Sequence, residues 1–232
     1  MYTDEFKPVG NIFSTLVDFE PYPSAIVFFK GCNLYCPYCY NKDLLFPFCK
    51  RLSGYSLDEA LDVIKSMRQF IDGVVLSGGE PLLYQDMIID FVNELNNMDL
   101  KVKLDTNGTI PVKQQLLNLL YGVSLTLKPA SYYPSETILD VIRDNIVKFT
   151  TLPWKELRVT VVDDKTLIDV CRDFKTFKLL QSWNLRITNA VKTDSILDPE
   201  KVRFIDDSDK FFKVAETISN LIPHNNCEVY HV

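Results

Sequence analysis

The chain alternates between short apolar runs and longer stretches whose apolar residues recur at helical spacing. The clearest short run, Ser24 to Phe29, is continuously apolar and rich in residues that favour strands. This pattern is typical of a strand buried on both faces of a parallel sheet. Further runs of this kind are at residues 72–77, 101–105, 123–128, 157–162 and 184–188. The pattern therefore predicts six buried strands.

The stretches between these runs predict helices. The first follows Ser56, which forms a capping-box sequence with Glu59 and precedes an apolar stripe that ends at Met67. Other helices are predicted around residues 87–95, 112–120, 135–149 and 166–179, with a last one within 210–221. Strands separated by helices imply right-handed crossovers and a mostly parallel sheet. The predicted fold class is α/β, with six strand–helix units, which are too few to close an eight-stranded barrel.

The length of the chain bounds its domain organisation. With 232 residues, 47% of them hydrophobic, it can bury a large core and fits one α/β domain. We expect one domain over residues 1–232, with a lead-in at 1–23, a barrel core at 24–188, and a C-terminal loop and helix at 189–232. Segment 189–209 carries charges and no clear period, which predicts a loop at the barrel mouth.

Charge and hydropathy exclude several classes of function. The net charge is −6, the pI is about 5.0, and no basic run occurs, so we expect no nucleic-acid binding. The first residues are acidic without an apolar signal segment, and the apolar runs are too short to cross a bilayer. We therefore expect a cytoplasmic protein without membrane association, in which cysteines need not form disulfides.

Three cysteines directly follow the first predicted strand, in the loop 31–41, Gly-Cys-Asn-Leu-Tyr-Cys-Pro-Tyr-Cys-Tyr-Asn. A structural zinc site takes four ligands, and the rest of the chain offers no second cysteine pair. We interpret the other cysteines, Cys49, Cys171 and Cys227, as ordinary ones, and the histidines, His224 and His231, lie near the C-terminus. Three thiolates can instead hold a [4Fe–4S] cluster and leave one iron open. A zinc or redox thiol site remains the alternative.

The spacing Cys-x3-Cys-x2-Cys, with an aromatic residue before the last cysteine, resembles the signature of the radical S-adenosylmethionine (SAM) enzymes. In that superfamily the open iron chelates the amino and carboxylate groups of SAM, and an electron from the cluster cleaves SAM to a 5′-deoxyadenosyl radical. The resemblance implies a [4Fe–4S] cluster on Cys32, Cys36 and Cys39, SAM as a second cofactor, and a partial (β/α)6 TIM-like barrel.

The second predicted strand ends in Ser77, Gly78, Gly79 and Glu80. Glycines allow the backbone to approach a ligand closely, although an ordinary glycine turn has the same sequence. After a three-cysteine loop, this element resembles the Gly-Gly-Glu motif of radical SAM enzymes. In those enzymes the backbone carbonyls and the Glu receive the SAM ammonium group.

Two more strand ends carry candidate cofactor residues. Asp105, Thr106 and Asn107 belong to Leu-Asp-Thr-Asn-Gly, which is also a good turn sequence. The element resembles a motif of glycyl-radical-enzyme activases that lines the SAM site and can give oxygen ligands to a monovalent cation. By the same resemblance Lys128 meets the SAM carboxylate or ribose, and a surface lysine at a strand end is the alternative. The activases usually have Asp two residues before this Lys, where this chain has Thr126, which puts the cation site in doubt.

Three further residues complete the predicted SAM site. Arg158 lies in a buried strand and needs a carboxylate partner, which is either the SAM carboxylate or an internal ion pair. Tyr38 and Tyr40 either flank the adenine or pack against the strand ends. Some activases have a histidine on the sixth strand, but residues 184–188 contain none.

Within the superfamily, the chain is similar to the activating proteins of anaerobic ribonucleoside-triphosphate reductase and to pyruvate formate-lyase activases. The similarity lies in the cysteine loop and in residues 11–19, Asn-Ile-Phe-Ser-Thr-Leu-Val-Asp-Phe. Three positions depart from these relatives: Tyr40 replaces the usual His, and Glu20 and Pro21 replace Pro-Gly. The resemblance implies a glycyl radical enzyme as protein substrate, anaerobic ribonucleotide reductase above all, and flavodoxin or ferredoxin as electron donor.

Two other functions stay open. One is a small-molecule radical SAM enzyme such as 7-carboxy-7-deazaguanine synthase, which is similarly short. That family tends to have Gln-Gly-Glu-Gly before the first strand and Cys-Asp-Thr after the cluster, and this chain has neither. The other is a degenerate cluster-binding protein without turnover, which the altered Thr126 and Tyr40 keep in consideration.

Overall fold

The computed structural model describes residues 6–46, 48–128, 132–162, 178–190, 196–198, 200, 202, 205, 207–222 and 224–230. Most of the helix predicted at 166–179 lies outside these residues, as do Cys171 and His231. The predicted loop 189–209 is described only in part.

The described residues contain eight strands, which neighbour one another in chain order. They are β1 (Val9–Thr15), β2 (Ser24–Phe29), β3 (Gly73–Gly78), β4 (Lys101–Thr106), β5 (Gly122–Leu127), β6 (Trp154–Val161), β7 (Asn184–Asn189) and β8 (Asn226–Tyr230). All six predicted strands are present, as β2 to β7. The α/β fold class with a mostly parallel sheet is confirmed, because β2–β3, β3–β4, β6–β7 and β7–β8 all pair in parallel.

The sequence did not predict the two outermost strands. Strand β1 pairs antiparallel with β2, and most of its residues keep some exposure to solvent. Strand β8 has no buried residue and carries polar side chains at alternate positions. Edge strands of this kind lack the continuous apolar run of a central strand. They are therefore recognised by their pairing with the neighbouring strand and not by their amino-acid composition.

Five α-helices lie in the described residues: α1 (Leu57–Met67), α2 (Gln85–Asn97), α3 (Gln114–Leu117), α4 (Thr137–Phe149) and α5 (Ser208–Leu221). Helix α1 begins at the predicted capping box, in which the Ser56 side chain accepts from the Glu59 N–H. Helix α3 is shorter than the predicted 112–120. Val112 and Leu120 are buried outside it, so burial rather than helical structure explains why they are apolar.

The chain divides into two compact units. The first unit consists of Met1–Asn33, Asp43–Thr106 and Val112–Val123, and the second of Leu34–Lys42, Asn107–Pro111 and Ser124–Val232. Each is described by itself below, and the single domain over residues 1–232 stays a prediction. No helix in the described part of the chain has the length and apolar character needed to cross a membrane.

The strands of the two units differ in how they are buried. In the first unit, β2 and the first four residues of β3 are buried on both faces, as the apolar runs predicted. In the second unit, residues 157–161 of β6 and 184–188 of β7 alternate between buried apolar residues and partly exposed polar ones. One face of the second unit's sheet is therefore polar, and it carries several charged side chains that the apolar pattern did not reveal.

Candidate functional site

In the first unit, the Gly-Gly-Glu turn packs directly on the residues that precede Cys32. The Gly79 N–H donates to the Phe29 carbonyl over 2.8 Å, and the Glu80 N–H donates to the Gly31 carbonyl over 2.8 Å. Gly78 has a φ of 109°, which side-chain-bearing residues rarely adopt. A Cβ atom on Gly79 would overlap the Gly31 carbonyl oxygen. Backbone packing within the first unit therefore already requires both glycines.

This close approach makes Gly79→Ala a specific test of the packing. We expect the free energy of unfolding to fall by about 1–3 kcal/mol, because the added methyl group must push the two backbone segments apart. Urea unfolding followed by circular dichroism measures the loss. Ser77→Ala is the matched control and should change stability by less than about 0.5 kcal/mol. Equal stability of the two variants would contradict the packing argument.

Glu80 lies at the centre of this turn and is fully buried. Its Oε1 atom accepts from the Leu82 N–H over 3.1 Å and from the Thr106 hydroxyl over 2.8 Å. The first contact caps the short 3₁₀ helix Pro81–Tyr84. The second joins two predicted site residues, so the structure brings the ends of β3 and β4 together through Glu80 and Thr106.

Asp105, at the end of β4, forms an ion pair that the sequence analysis missed. The Lys103 ammonium lies 2.7 Å from Asp105 Oδ1, and the Lys103 side chain is fully buried. Lys103 also donates to the Asp18 carbonyl. A buried ammonium group thus lies against the carboxylate that the activase resemblance associates with a monovalent cation. The sequence did contain a signal for this ion pair. The lysine lies two residues before the aspartate in a predicted strand, so both side chains must share one face of the sheet.

In the second unit, the loop with Cys36 and Cys39 is fixed by backbone hydrogen bonds. The Cys39 N–H donates to the Cys36 carbonyl over 3.0 Å. The Asp198 and Leu197 N–H groups donate to the Pro37 and Cys39 carbonyls over 2.9 and 3.0 Å. A segment from the predicted mouth loop therefore holds the cysteine loop. Cys32 belongs to the first unit and is half-buried.

Burial controls the protonation of the two thiols in the second unit. Desolvation raises the pKa of Cys36 and of Cys39, and the positive charge of Lys128 partly opposes the rise in both. Both groups are therefore thiols rather than thiolates at neutral pH. Because iron is bound by thiolates, metal binding here must release protons.

The two predicted adenine-flanking tyrosines have different environments. Tyr38 is only 6% exposed, whereas Tyr40 is 68% exposed. The Tyr38 ring lies 5.7 Å from the Tyr132 ring and 5.4 Å from the Lys128 Nζ atom, so Tyr38 packs at the end of β5. Its hydroxyl has no hydrogen-bond partner within the described part of the chain, and burial is the main cause that raises its pKa well above the ordinary value. Of these two tyrosines, only Tyr40 has an exposed ring.

Asn107 forms the turn that its sequence context suggested. Its Oδ1 atom accepts from the Thr109 N–H over 2.9 Å and from the Thr109 hydroxyl over 2.6 Å. Asn145 of α4, which is fully buried, donates to the carbonyls of Gly108 and Ile110 over 2.8 Å each. The sequence analysis missed Asn145, although an amide on the apolar face of a predicted helix is a usable signal.

Arg158 lies in an internal ion pair, which is one of its two predicted alternatives. Its Nε atom contacts Glu156 on the same strand. Glu156 also contacts Arg186 of β7, and Arg186 contacts Glu228 of β8. The sequence analysis missed Glu156, Arg186 and Glu228, although charged residues at alternate positions of a strand could have pointed to this polar face.

The three cysteine sulfur atoms are the type of ligand that an iron–sulfur cluster takes. Cys32, Cys36 and Cys39 are thiols and not halves of disulfides, and soft sulfur ligands are what such clusters take. Within the described ranges, no three His, Cys, Asp or Glu side chains are already placed to hold a metal ion. The chemistry of the three thiols fits the cluster.

Comparisons with known proteins point to one family. The model of the Radical SAM superfamily matches residues 26–149. A protein of Methanocaldococcus jannaschii named "Putative glycyl-radical enzyme activating enzyme" is 34% identical over 183 residues, which is 72% of this chain and 74% of that protein. A 7-carboxy-7-deazaguanine synthase of Clostridium acetobutylicum is 24% identical over 85% of this chain and 87% of its own length. The pyruvate formate-lyase 1-activating enzyme of Escherichia coli is 26% identical, with 53% of each chain covered.

Solved structures resemble the fold at low sequence identity. QueE from Escherichia coli has a TM-score of 0.57 at 15% identity, and the match covers 97% of this chain and 93% of QueE. Streptococcus suis SuiB bound to S-adenosylmethionine has a TM-score of 0.61 at 13% identity over 89% of this chain. The match spans about half of SuiB, 51% of its length. These likenesses concern the fold alone.

Proposed function

This chain belongs to the radical SAM superfamily, and from that premise we propose that it is a glycyl-radical-enzyme activating enzyme. The observation that carries the proposal is the relative of that name, which is 34% identical over 183 residues. The pyruvate formate-lyase activating enzyme among the relatives supports the same reaction class. Membership of the superfamily implies a [4Fe–4S] cluster and SAM as cofactors.

In this proposal the three cysteines of the loop, Cys32, Cys36 and Cys39, hold the cluster through their thiolates. When bound, the cluster supplies one electron for the reductive cleavage of SAM. Cys36 is only 7% exposed, so little water reaches this ligand. A ligand shielded from water is less easily lost by hydrolysis or oxidation.

The remaining predicted residues are proposed to hold SAM. In the first unit, Glu80 and the backbone carbonyls of the Gly78–Gly79 turn accept hydrogen bonds from the SAM ammonium group. In the second unit, the exposed Tyr40 ring stacks on the adenine, and Lys128 gives positive charge to the SAM carboxylate. The other predicted contacts are Tyr38, Ser77, Asp105, Thr106, Asn107 and Arg158.

The proposed substrate is a glycine in a partner glycyl radical enzyme, with anaerobic ribonucleotide reductase as the first candidate. The reaction moves one hydrogen atom from the glycine Cα to the 5′ carbon of the deoxyadenosyl group, which leaves 5′-deoxyadenosine and a glycyl radical. Flavodoxin or ferredoxin is the proposed electron donor. A cytoplasmic location is part of the same proposal.

A second function has its own support. The 7-carboxy-7-deazaguanine synthase of Clostridium acetobutylicum covers more of this chain than the first relative does, 85% against 72%, although at 24% identity. The absence of Gln-Gly-Glu-Gly and Cys-Asp-Thr from this chain weighs against that reaction. Synthesis of 7-carboxy-7-deazaguanine is therefore the second candidate.

One anaerobic experiment distinguishes the activase function from the synthase function. The protein is reconstituted with iron and sulfide, reduced with dithionite and incubated with SAM and the inactive form of an anaerobic ribonucleotide reductase. We expect 5′-deoxyadenosine together with the doublet of a glycyl radical in the electron paramagnetic resonance (EPR) spectrum. A reductase whose glycine is replaced by alanine is the control and should give no doublet. Formation of 7-carboxy-7-deazaguanine from the synthase substrate, without a doublet, would overturn the proposal.

A further inference from the structure

Two backbone hydrogen bonds connect a remote segment of the second unit to the loop that carries Cys36 and Cys39. The Leu197 N–H donates to the Cys39 carbonyl over 3.0 Å, and the Asp198 N–H donates to the Pro37 carbonyl over 2.9 Å. Both segments belong to the second unit, although they are far apart in the sequence. Residues 196–198 thus form a clasp on the cysteine loop.

The part of the loop that the clasp contacts is a turn over residues 36–39. The Cys39 N–H donates to the Cys36 carbonyl over 3.0 Å, and Pro37 is at the second position of the turn. Proline favours this position because its ring fixes φ near the value that the turn needs. The Cys36 carbonyl is used within the turn, whereas the Pro37 and Cys39 carbonyls accept from the clasp. The turn therefore arranges the backbone of the two cysteines, and the clasp attaches that turn to the second unit.

Packing fixes both partners of these hydrogen bonds. On the side of the clasp, Ile196 is only 3% exposed. On the side of the loop, Cys36 and Tyr38 are 7% and 6% exposed, and the Tyr38 ring lies 5.7 Å from the Tyr132 ring. The two hydrogen bonds therefore connect segments that each have a defined place in the second unit, so the entropy of ordering the loop is already lost on folding.

Ordering of the loop matters for the cluster that the superfamily implies. Cys36 and Cys39 are two of its three predicted ligands, so binding requires the turn in one arrangement. A loop that is held before binding loses less conformational entropy when the cluster binds, and the cluster is retained more strongly. Thermodynamic linkage is reciprocal: if the clasp favours the cluster, the cluster must favour the closed clasp by the same factor.

We propose that Leu197 and Asp198 are positioning residues, which hold the turn at residues 36–39 for the cluster through their backbone N–H groups. The clasp and the cluster then stabilise each other. The proposal rests on membership of the superfamily and not on the activase reaction. It gives this part of the predicted mouth loop a role in retaining the cluster.

The first arm of the test uses the wild-type protein. Hydrogen exchange of the apoprotein and of the anaerobically reconstituted holoprotein is followed by mass spectrometry. We expect the Leu197 and Asp198 N–H groups to exchange about fivefold more slowly in the holoprotein, which is the effect expected of one hydrogen bond. Helix α1 of the first unit is the internal control and should exchange at the same rate in both forms.

Asp198→Pro tests the clasp directly, because proline has no N–H group to donate to the Pro37 carbonyl. Asp198 precedes Pro199, and a residue in that position favours extended conformations that proline can also adopt. Reconstituted proteins are mixed anaerobically with a chelator of ferrous iron, and we expect Asp198→Pro to release iron about fivefold faster than wild type. Asp198→Asn keeps the backbone N–H and the shape of the side chain, so it should release iron at the wild-type rate.

Phe149→Leu separates positioning from general stability. Phe149 of α4 is fully buried in the second unit, so a smaller side chain leaves a cavity and destabilises the apoprotein in urea. If the clasp acted only through stability, Phe149→Leu would release iron as fast as Asp198→Pro. We expect Phe149→Leu to keep the wild-type release rate, and only Asp198→Pro to broaden the EPR signal of the reduced cluster.

The proposal is overturned if the Leu197 and Asp198 N–H groups exchange equally with and without the cluster, since the clasp would then be independent of it. It is also overturned if Asp198→Asn releases iron as fast as Asp198→Pro, because the side chain rather than the N–H group would then be responsible. Should Asp198→Pro fail to fold, exchange in the wild-type protein still decides. No measurement uses SAM or a glycyl radical enzyme, so either result can be obtained even if the proposed activase function fails.

Discussion

Cys36→Ala is expected to reduce the formation of 5′-deoxyadenosine to the level of a protein-free control. The superfamily cluster is held by three thiolates, and the chain has no fourth cysteine in this loop that could replace the lost one. Iron and sulfide bound per chain after reconstitution should fall with the activity, and the EPR signal of the reduced cluster should disappear. After anaerobic reconstitution, quantification of 5′-deoxyadenosine, iron and sulfide analysis, and EPR spectroscopy measure the three effects.

Cys227→Ala is the matched control, because Cys227 is a half-buried thiol on β8 that the sequence analysis interpreted as ordinary. It should keep the wild-type iron content and the wild-type rate of SAM cleavage. If Cys36→Ala instead retained a SAM-cleaving cluster, Cys36 would not be a ligand. If wild type bound zinc in place of the cluster, the zinc alternative would replace the catalytic one.

Lys103→Met is expected to lower the free energy of unfolding by about 3–5 kcal/mol, because it leaves a buried carboxylate without its ammonium partner. The Lys103 side chain is fully buried and that of Asp105 is 10% exposed, so little water can take over the lost interaction. The Asp18 carbonyl also loses a donor. Urea unfolding of both proteins, followed by circular dichroism, gives the difference.

Two further variants test the reason for this loss. Lys113→Met removes an ion pair with Asp86 in which both side chains are well exposed, and it should cost less than about 0.5 kcal/mol. Adding Asp105→Asn to Lys103→Met should recover part of the stability, because it removes the uncompensated charge. A Lys103→Met protein as stable as Lys113→Met would contradict the buried ion pair.

Central strands and capped helices were predictable because their signals are local. Strand β2 has the predicted bounds, since a strand buried on both faces must be apolar throughout. Helix α1 begins where Ser56 and Glu59 form the capping box. Strands β1 and β8 were missed because an edge strand needs neither a continuous apolar run nor burial on both faces.

The candidate site likewise contains residues whose contacts are local in the chain and residues whose contacts are not. Asn107 makes its turn with Thr109, only two residues away, and turn preference was part of the sequence argument. Arg158 was left with two possible partners, and only the structure showed the contact with Glu156. Asn145 supports the 107–111 loop from a distant helix, and no local pattern connects the two.

The sequence by itself determined the order of the six central strands, β2 to β7, the three-cysteine loop and the Gly-Gly-Glu turn, because each depends on residues that are close together in the chain. Only the tertiary structure decided which charges meet across strands. Arg158, Arg186 and Glu228 come from three strands, and the register of the parallel sheet aligns them. A shift of one residue in that register would move these side chains to the other face, so their contacts depend on the packing of the whole sheet.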